Sequence, residues 1–394
     1  MTRNSNPGCM GDGGLYQSLR LSSDHQYQVV APVLQGGGAL GSYQAGVYQG
    51  LAEADLHPNW VAGISIGALN AAIIAGNPPD KRVERLMDFW QSICRPPILP
   101  PSPLSHMDLS GWPAPVLGML NGWEAMRALV EGQNGFFVPR VPLIPDGPDS
   151  TSFYDTRPLK ATLEAMVDFD RLNDTREMRV SVGAVNVRTG NLEYFDNTKG
   201  PLRAEHIMAS GALPPGFAAV EIDGEFYWDG GVVSNTPLQH VLSSTPRKNS
   251  LVFQVDLWSA HGTVPTDLSK VAVRLKDIQY SSRTRMVTDN MHAQQKQRRL
   301  LNELMKLVPE ELKTDNHWYA LAEREACDRL FNVIHMIYKD KECEGNYKDF
   351  QFGAPTMREH WQSGLNDIVH SLGHPEWLRM PTAENPFVTH DVHR

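Results

Sequence analysis

Apolar residues along this chain fall into short continuous runs separated by stretches of helical periodicity. Residues 27–34 (Tyr-Gln-Val-Val-Ala-Pro-Val-Leu) form one such run, followed by Gln35-Gly36-Gly37-Gly38-Ala39-Leu40-Gly41 and a helical pattern over 42–54. Trp60, Val61 and Ala62 end a second run, and 68–75 is helix-forming. Pro78 and Pro79 break that helix, after which Val83, Leu86, Met87 and Trp90 recur at helical spacing. Further on, 178–187 and 192–195 predict a hairpin, and 220–228 a second one turning at Asp223-Gly224. Residues 251–257 read as one more buried strand. Strands that are apolar throughout and alternate with helices predict a mostly parallel sheet covered on both faces, a three-layer α/β domain.

Three stretches depart from this alternation. Residues 1–26 hold Gly, Ser, Asn and Asp but no apolar core of a signal peptide, and read as a disordered leader. Residues 96–149 shift to Pro, Gly, Trp and Phe, with one helical stretch near 114–131 and the pairs Trp112/Trp123 and Phe136/Phe137. So long and apolar a segment is either a cap walling an apolar cleft or a packed insertion. Residues 268–307 and 318–338 read as long helices, and the last forty residues as irregular, with Pro355, Pro375, Pro381 and Pro386. The expected organisation is a leader, a catalytic domain over 27–259 and a helical C-terminal region over 260–394 of unassigned role.

Charge narrows the partners. At 394 residues, net charge -9 and pI near 5.9, the chain lacks the basic balance of a general nucleic-acid binder. Between 270 and 300, however, eight Lys/Arg face two Asp, which is either a solvated helix face or a patch attracted to anionic lipid. Four scattered cysteines suggest neither a disulfide framework nor a zinc site, and fit a reducing compartment. The longest apolar stretch, 60–75, is interrupted by Gly63, Ser65, Gly67 and Asn70 and falls short of the ~20 residues of a spanning helix. A cytoplasmic protein, peripheral to a membrane at most, is expected.

Candidate chemistry centres on Gly63-x-Ser65-x-Gly67, which puts a serine on a strand-to-helix turn with a helix N-terminus behind it. Three successive glycines, Gly36 to Gly38, can aim backbone N–H groups at one point. Gly36-x-Gly38-x-x-Gly41 also matches a dinucleotide fingerprint, but the next strand ends in Gly63-Ile64-Ser65 without the acid that would hold a ribose. An oxyanion hole is the better fit. A serine needs a base. His240 and His261 lie late in the domain without telling context, whereas Asp229 ends a strand between Trp228 and two glycines. Asp229-Gly230 can equally begin an ordinary turn.

Taken together, Gly36-Gly37-Gly38-x-x-Gly41, Gly63-x-Ser65-x-Gly67 and Asp229-Gly230-Gly231 resemble the patatin-like phospholipase family in type, order and spacing. The loop over 209–217 and Asn235-x-Pro237 are also similar, and the resemblance spans about 29–257. It implies a Ser-Asp dyad, with Ser65 the nucleophile and Asp229 its general base. The oxyanion hole would draw on Gly36, Gly37, Gly38 and Ile66, and neither metal nor cofactor is implied. Where the family's glycine loop usually carries Arg or Lys before its last glycine, this chain has Leu40. The expected activity is acyl-ester hydrolysis of lipids, of phospholipase A or lysophospholipase type. Alternatives are an esterase for hydroxyacyl oligomers or other small esters, and a non-catalytic lipid-binding or scaffold protein, against which the intact Ser65 and Asp229 count.

Overall fold

The computed structural model describes residues 27–94, 113–140, 151–281, 284–339, 345 and 347–392. The expected leader and, within the expected insertion, the parts before 113 and after 140 lie outside the described residues.

The frame is a mixed sheet of nine strands in the order β11-β10-β9-β1-β2-β5-β8-β7, with β6 also paired to β5. These are β1 (Val29–Leu34), β2 (Trp60–Ile64), β5 (Arg179–Asn186), β6 (Leu192–Asp196), β7 (Val220–Ile222), β8 (Glu225–Asp229), β9 (Ser250–Asp256), β10 (Phe331–Ile337) and β11 (Phe387–Asp391). A separate two-stranded ladder joins β3 (Val138–Pro139) to β4 (Tyr154–Asp155). From β11 through β1 to β5 the pairing is parallel; β6 and β8 pair antiparallel with β5, and β7 pairs antiparallel with β8. Both expected hairpins form, and Asp223 and Gly224 at the second turn take positive φ.

Helices cover both faces, and β1 shows how its residues divide between them. Val30 and Leu34 belong to the larger core, shared with the helices Ser42–Glu53, Ile66–Ala75 and Arg82–Ile93. Val29, Ala31 and Val33 turn the other way, onto Leu238, Val241 and Leu242 of one helix and Met291 of another. Strands buried on both faces have no polar side to show, which is why β1 and β2 read as unbroken apolar runs, and β9 carries Leu251 to Phe253 and Val255 with only Gln254 between them.

The C-terminal segment is helical over Leu268–Tyr280, Thr284–Lys306, His317–Glu325 and Ala354–Leu372. It also departs from expectation. The helix read over 318–338 stops at Glu325, and Phe331–Ile337 is the strand β10, paired in parallel with β9 over seven residues. The last forty residues are not irregular throughout either. Pro355 falls in the first turn of the helix Ala354–Leu372, where the missing N–H costs nothing, and β11 follows. This helix packs on Ser42–Glu53 through Tyr43 Oη to Asp367 Oδ2 (2.6 Å) and Trp361 Nε1 to Gln49 Oε1 (2.6 Å). No described helix is long and apolar enough to cross a membrane.

Candidate active site

The site grows from the C-terminal ends of β1 and β2, where the chain leaves the sheet for a helix. Gln35, fully buried, anchors the exit of β1: its Oε1 accepts from the N–H groups of Leu257 (2.6 Å) and Trp258 (3.0 Å), and its Nε2 donates to Thr236 Oγ1 (2.9 Å). Gly36 is gripped on both sides. Its N–H donates to the Asn235 carbonyl (3.3 Å), and its own carbonyl accepts from Asn235 Nδ2 (2.9 Å) and Trp258 Nε1 (2.8 Å). The Gly36 N–H is thus engaged with the frame. Among the described residues the N–H groups of Gly37, Gly38 and Ile66 donate to no other protein group. Gly38 adopts φ +56°, and a Cβ there would lie 2.3 Å from the Asp349 carbonyl oxygen, so glycine is required twice over.

Ser65 occupies the turn between β2 and the helix Ile66–Ala75 with φ 55° and ψ −124°, a conformation that costs a non-glycine residue on the order of 1–3 kcal/mol. The turn is held from below. The Ser65 N–H donates to the Ser210 carbonyl (3.1 Å) and hydroxyl (3.0 Å), and that hydroxyl donates to the Gly183 carbonyl at 2.6 Å. A Cβ on Gly67 would stand 2.3 Å from the Leu34 carbonyl oxygen, so this helix can start so near β1 only with glycine in its first turn.

Asp229 ends β8 and is 2% exposed. Its N–H donates to the Ala212 carbonyl (3.0 Å), and its Oδ1 accepts from the Gly231 N–H (2.7 Å). Burial pushes the carboxyl up to about 7, while hydrogen bonding from Ser65 and from Gly231 pulls the other way. Ser65, Asp229, Gly37 and Gly38 open into one cavity. Much of the remaining wall is apolar: Leu69, Leu213, Phe217, the edge-to-face pair Phe136 and Phe137, and Phe352, which packs against Phe136 at 5.9 Å; Asn235, Tyr280 and Asp349 also line it.

The two histidines are elsewhere. His240 stacks on Tyr194 with ring centroids 4.0 Å apart and lies 3.6 Å from Asp196 in a different cleft; His261 is exposed. Of the aromatic pairs expected in the insertion, Phe136 and Phe137 are buried in the cavity wall, Trp123 is exposed, and Trp112 lies outside the described residues. Cys94 and Cys327 are buried free thiols. The loop over 209–217 marks the neighbourhood of Ser210 but not its role, and the C-terminal contributors to the cavity, Tyr280, Asp349, Phe350 and Phe352, carry no local signal.

A three-layer α/β fold with a serine on a strand-to-helix turn, a glycine loop beside it and a buried carboxyl opposite defines the class of the α/β acyl hydrolases. The sequence pattern of the family described as patatin-like phospholipase matches residues 33–242, and a second pattern, described as patatin phospholipase, matches 278–384. The chain belongs to the patatin-like phospholipase family. No curated protein sequence matches it.

Among solved structures it is similar to VipD from Legionella pneumophila, at 14% identity over 86% of this chain and 67% of that one, with a TM-score of 0.35. Human GIVD cytosolic phospholipase A2 follows at 12% identity, 61% and 45% coverage and a TM-score of 0.34. ExoU of the Pseudomonas aeruginosa type III secretion system, in complex with SpcU, stands at 17%, 66%, 51% and 0.27. The chain spans about half the length of the latter two.

Proposed function

We propose that this chain hydrolyses carboxylic esters of lipids through a Ser65–Asp229 dyad, with phospholipase A or lysophospholipase specificity. One observation carries the reading: the hydroxyl of Ser65 and the buried carboxyl of Asp229 meet in a cavity walled largely by apolar side chains. In this reaction Asp229 takes the hydroxyl proton as Ser65 Oγ attacks the acyl carbonyl, and the N–H groups of Gly37, Gly38 and Ile66 receive the oxyanion. Collapse expels the alcohol, which leaves with a proton from Asp229. Water, deprotonated by the same carboxylate, then cleaves the acyl-enzyme. Leu69, Phe136, Phe137, Phe217 and Phe352 receive the acyl chain, since none offers a donor or acceptor to a headgroup. Hydrolysis of p-nitrophenyl esters of graded chain length, beside defined phospholipids and lysophospholipids, tests this. Rates that climb with chain length and vanish in Ser65→Ala support it; activity retained in Ser65→Ala refutes it.

Contact with a lipid surface fits the exposed side chains better than the charge pattern. The cations of 270–300 are largely engaged within the protein: Lys270 with Asp267, Arg274 with the Ser259 and Ala260 carbonyls, Lys276 with Asp349 and Arg299 with the Asp328 carbonyl. In contrast, Met119, Trp123, Met126 and Val130 line one exposed face of the helix Ala114–Glu131, and Leu268, Val271, Leu275 and Ile278 one face of Leu268–Tyr280. Such stripes favour apolar adsorption over salt-sensitive attraction.

A further inference from the structure

The glycine loop rests on a crossed pair of ion bridges from the C-terminal segment. Two adjacent residues at the end of the helix Leu268–Tyr280, Lys276 and Asp277, face two adjacent residues of the turn Lys348–Phe350. Lys276 Nζ reaches Asp349 Oδ1 at 2.5 Å, and Lys348 Nζ reaches Asp277 Oδ1 at 2.6 Å. Asp277, Lys348 and Asp349 are all buried. Both ammonium groups also lie over aromatic faces, Lys348 4.8 Å from the Trp258 ring and Lys276 5.0 Å from Phe350. The cluster touches the loop at two points: the Asp349 carbonyl backs Gly38, and Trp258 holds the Gly36 carbonyl.

Asp349 is an awkward neighbour for the reaction proposed above. It lines the same cavity as Gly37, Gly38 and Ser65, so an uncompensated carboxylate there would oppose negative charge developing on an acyl oxygen. Leu40, at the position where the family usually has a cation, is buried in the core and offers no compensation. We infer that Lys276 is a positioning residue of the acyl-transfer site, neutralising Asp349 beside the glycine loop from the C-terminal segment. Burial raises the Asp349 carboxyl, and Lys276 acts against that rise, as the geometry requires. This rests on the Ser65–Asp229 reading. It predicts an asymmetry that a merely structural ion pair lacks: removing the cation harms turnover far more than removing the anion.

The experiment compares Lys276→Met, Lys276→Arg, Asp349→Asn and Lys276→Met/Asp349→Asn on a p-nitrophenyl ester, with wild type and Ser65→Ala as references. Lys276→Met is expected to lose about ten- to a hundredfold in kcat with KM within about twofold, in the range of one misaligned or opposed oxyanion contact. Lys276→Arg stays within about threefold of wild type, Asp349→Asn loses several-fold less than Lys276→Met, and the neutral double variant recovers most of the Lys276→Met loss. Equal losses from either side of the pair, or a Lys276→Met rate within twofold of wild type, overturn the inference while leaving the dyad standing. Should Lys276→Met not fold, the double variant decides: near-wild-type kcat supports the inference, and a hundredfold loss overturns it. If wild type and Ser65→Ala turn over equally, the dyad reading and this inference fall together.

Discussion

Ser210 carries the backbone of Ser65: one N–H of the strained turn is shared between its carbonyl and its hydroxyl, and that hydroxyl is itself tied to Gly183 on β5. The turn that presents the nucleophile is therefore braced by a buried serine 145 residues away. In Ser210→Ala the Gly183 carbonyl and the Ser65 N–H each lose a partner, at a cost of about 1–3 kcal/mol for buried groups. The expected outcome is a lower melting temperature together with a roughly tenfold fall in kcat, measured well below that melting point. An unchanged kcat in a folded variant would show that the strained turn holds without the brace.

Nucleophile and base act as a unit, so Ser65→Ala and Asp229→Asn should each abolish ester hydrolysis, and the double variant should be no worse than either alone. A general base is commonly worth 10²- to 10⁴-fold. Retention of more than about a hundredth of wild-type turnover in folded Asp229→Asn would remove Asp229 from the dyad.

The pH dependence follows from burial. With the Asp229 carboxyl pushed up to about 7, kcat/KM should rise through that region as the base ionises. Stability moves the other way. A carboxyl whose folded pKa exceeds its unfolded value binds more protons when folded, so it lowers stability as pH climbs from about 4 to about 7. Asp229→Asn should therefore be inactive yet more heat-resistant than wild type at pH 8, by up to about 4 kcal/mol. Equal melting temperatures at pH 8 and at pH 4 would contradict it.

Neither histidine is expected to take part in chemistry. His240 belongs to the Asp196 network and His261 to an exposed loop. His261→Gln should leave kcat unchanged, and His240→Gln should alter melting temperature more than turnover. A collapse of kcat in a folded His240 variant, with KM unchanged, would argue for a triad.

Adsorption to lipid is testable by vesicle co-sedimentation. Wild type should bind neutral and anionic vesicles to a similar extent at low and high salt, and Trp123→Ala with Leu275→Ala should weaken both. Strong salt dependence confined to anionic vesicles would return the interaction to the cations of 270–300.

What could be read from the chain alone was whatever chemistry writes locally. Gly63 to Gly67 encode a strand, a turn and a helix within a few residues, and Gly36 to Gly38 and Asp229 likewise announce themselves by their neighbours. Phe331–Ile337 was misread because a strand buried on both faces has no period of two, and it follows the helix His317–Glu325 after five residues. The cavity walls were invisible for a different reason. Phe352 and Asp349 meet the glycine loop across some 310 positions of chain, and nothing in their own surroundings marks a cavity residue. That the Gly36 N–H turns to the Asn235 carbonyl is likewise a contact no motif contains.

The seven-residue parallel register between β9 and β10 makes the family's core segment a poor candidate for excision. A fragment ending near 259 would expose the whole flank of β9, a row of unpaired N–H and C=O groups on an apolar strand, which is a template for intermolecular pairing. Engineers seeking a minimal lipase, or grafting this unit into a fusion, should keep the chain through β11 or else expect inclusion bodies. Because β10 and β11 continue the same sheet, loss of the C-terminal segment would be felt in solubility before it was felt in catalysis.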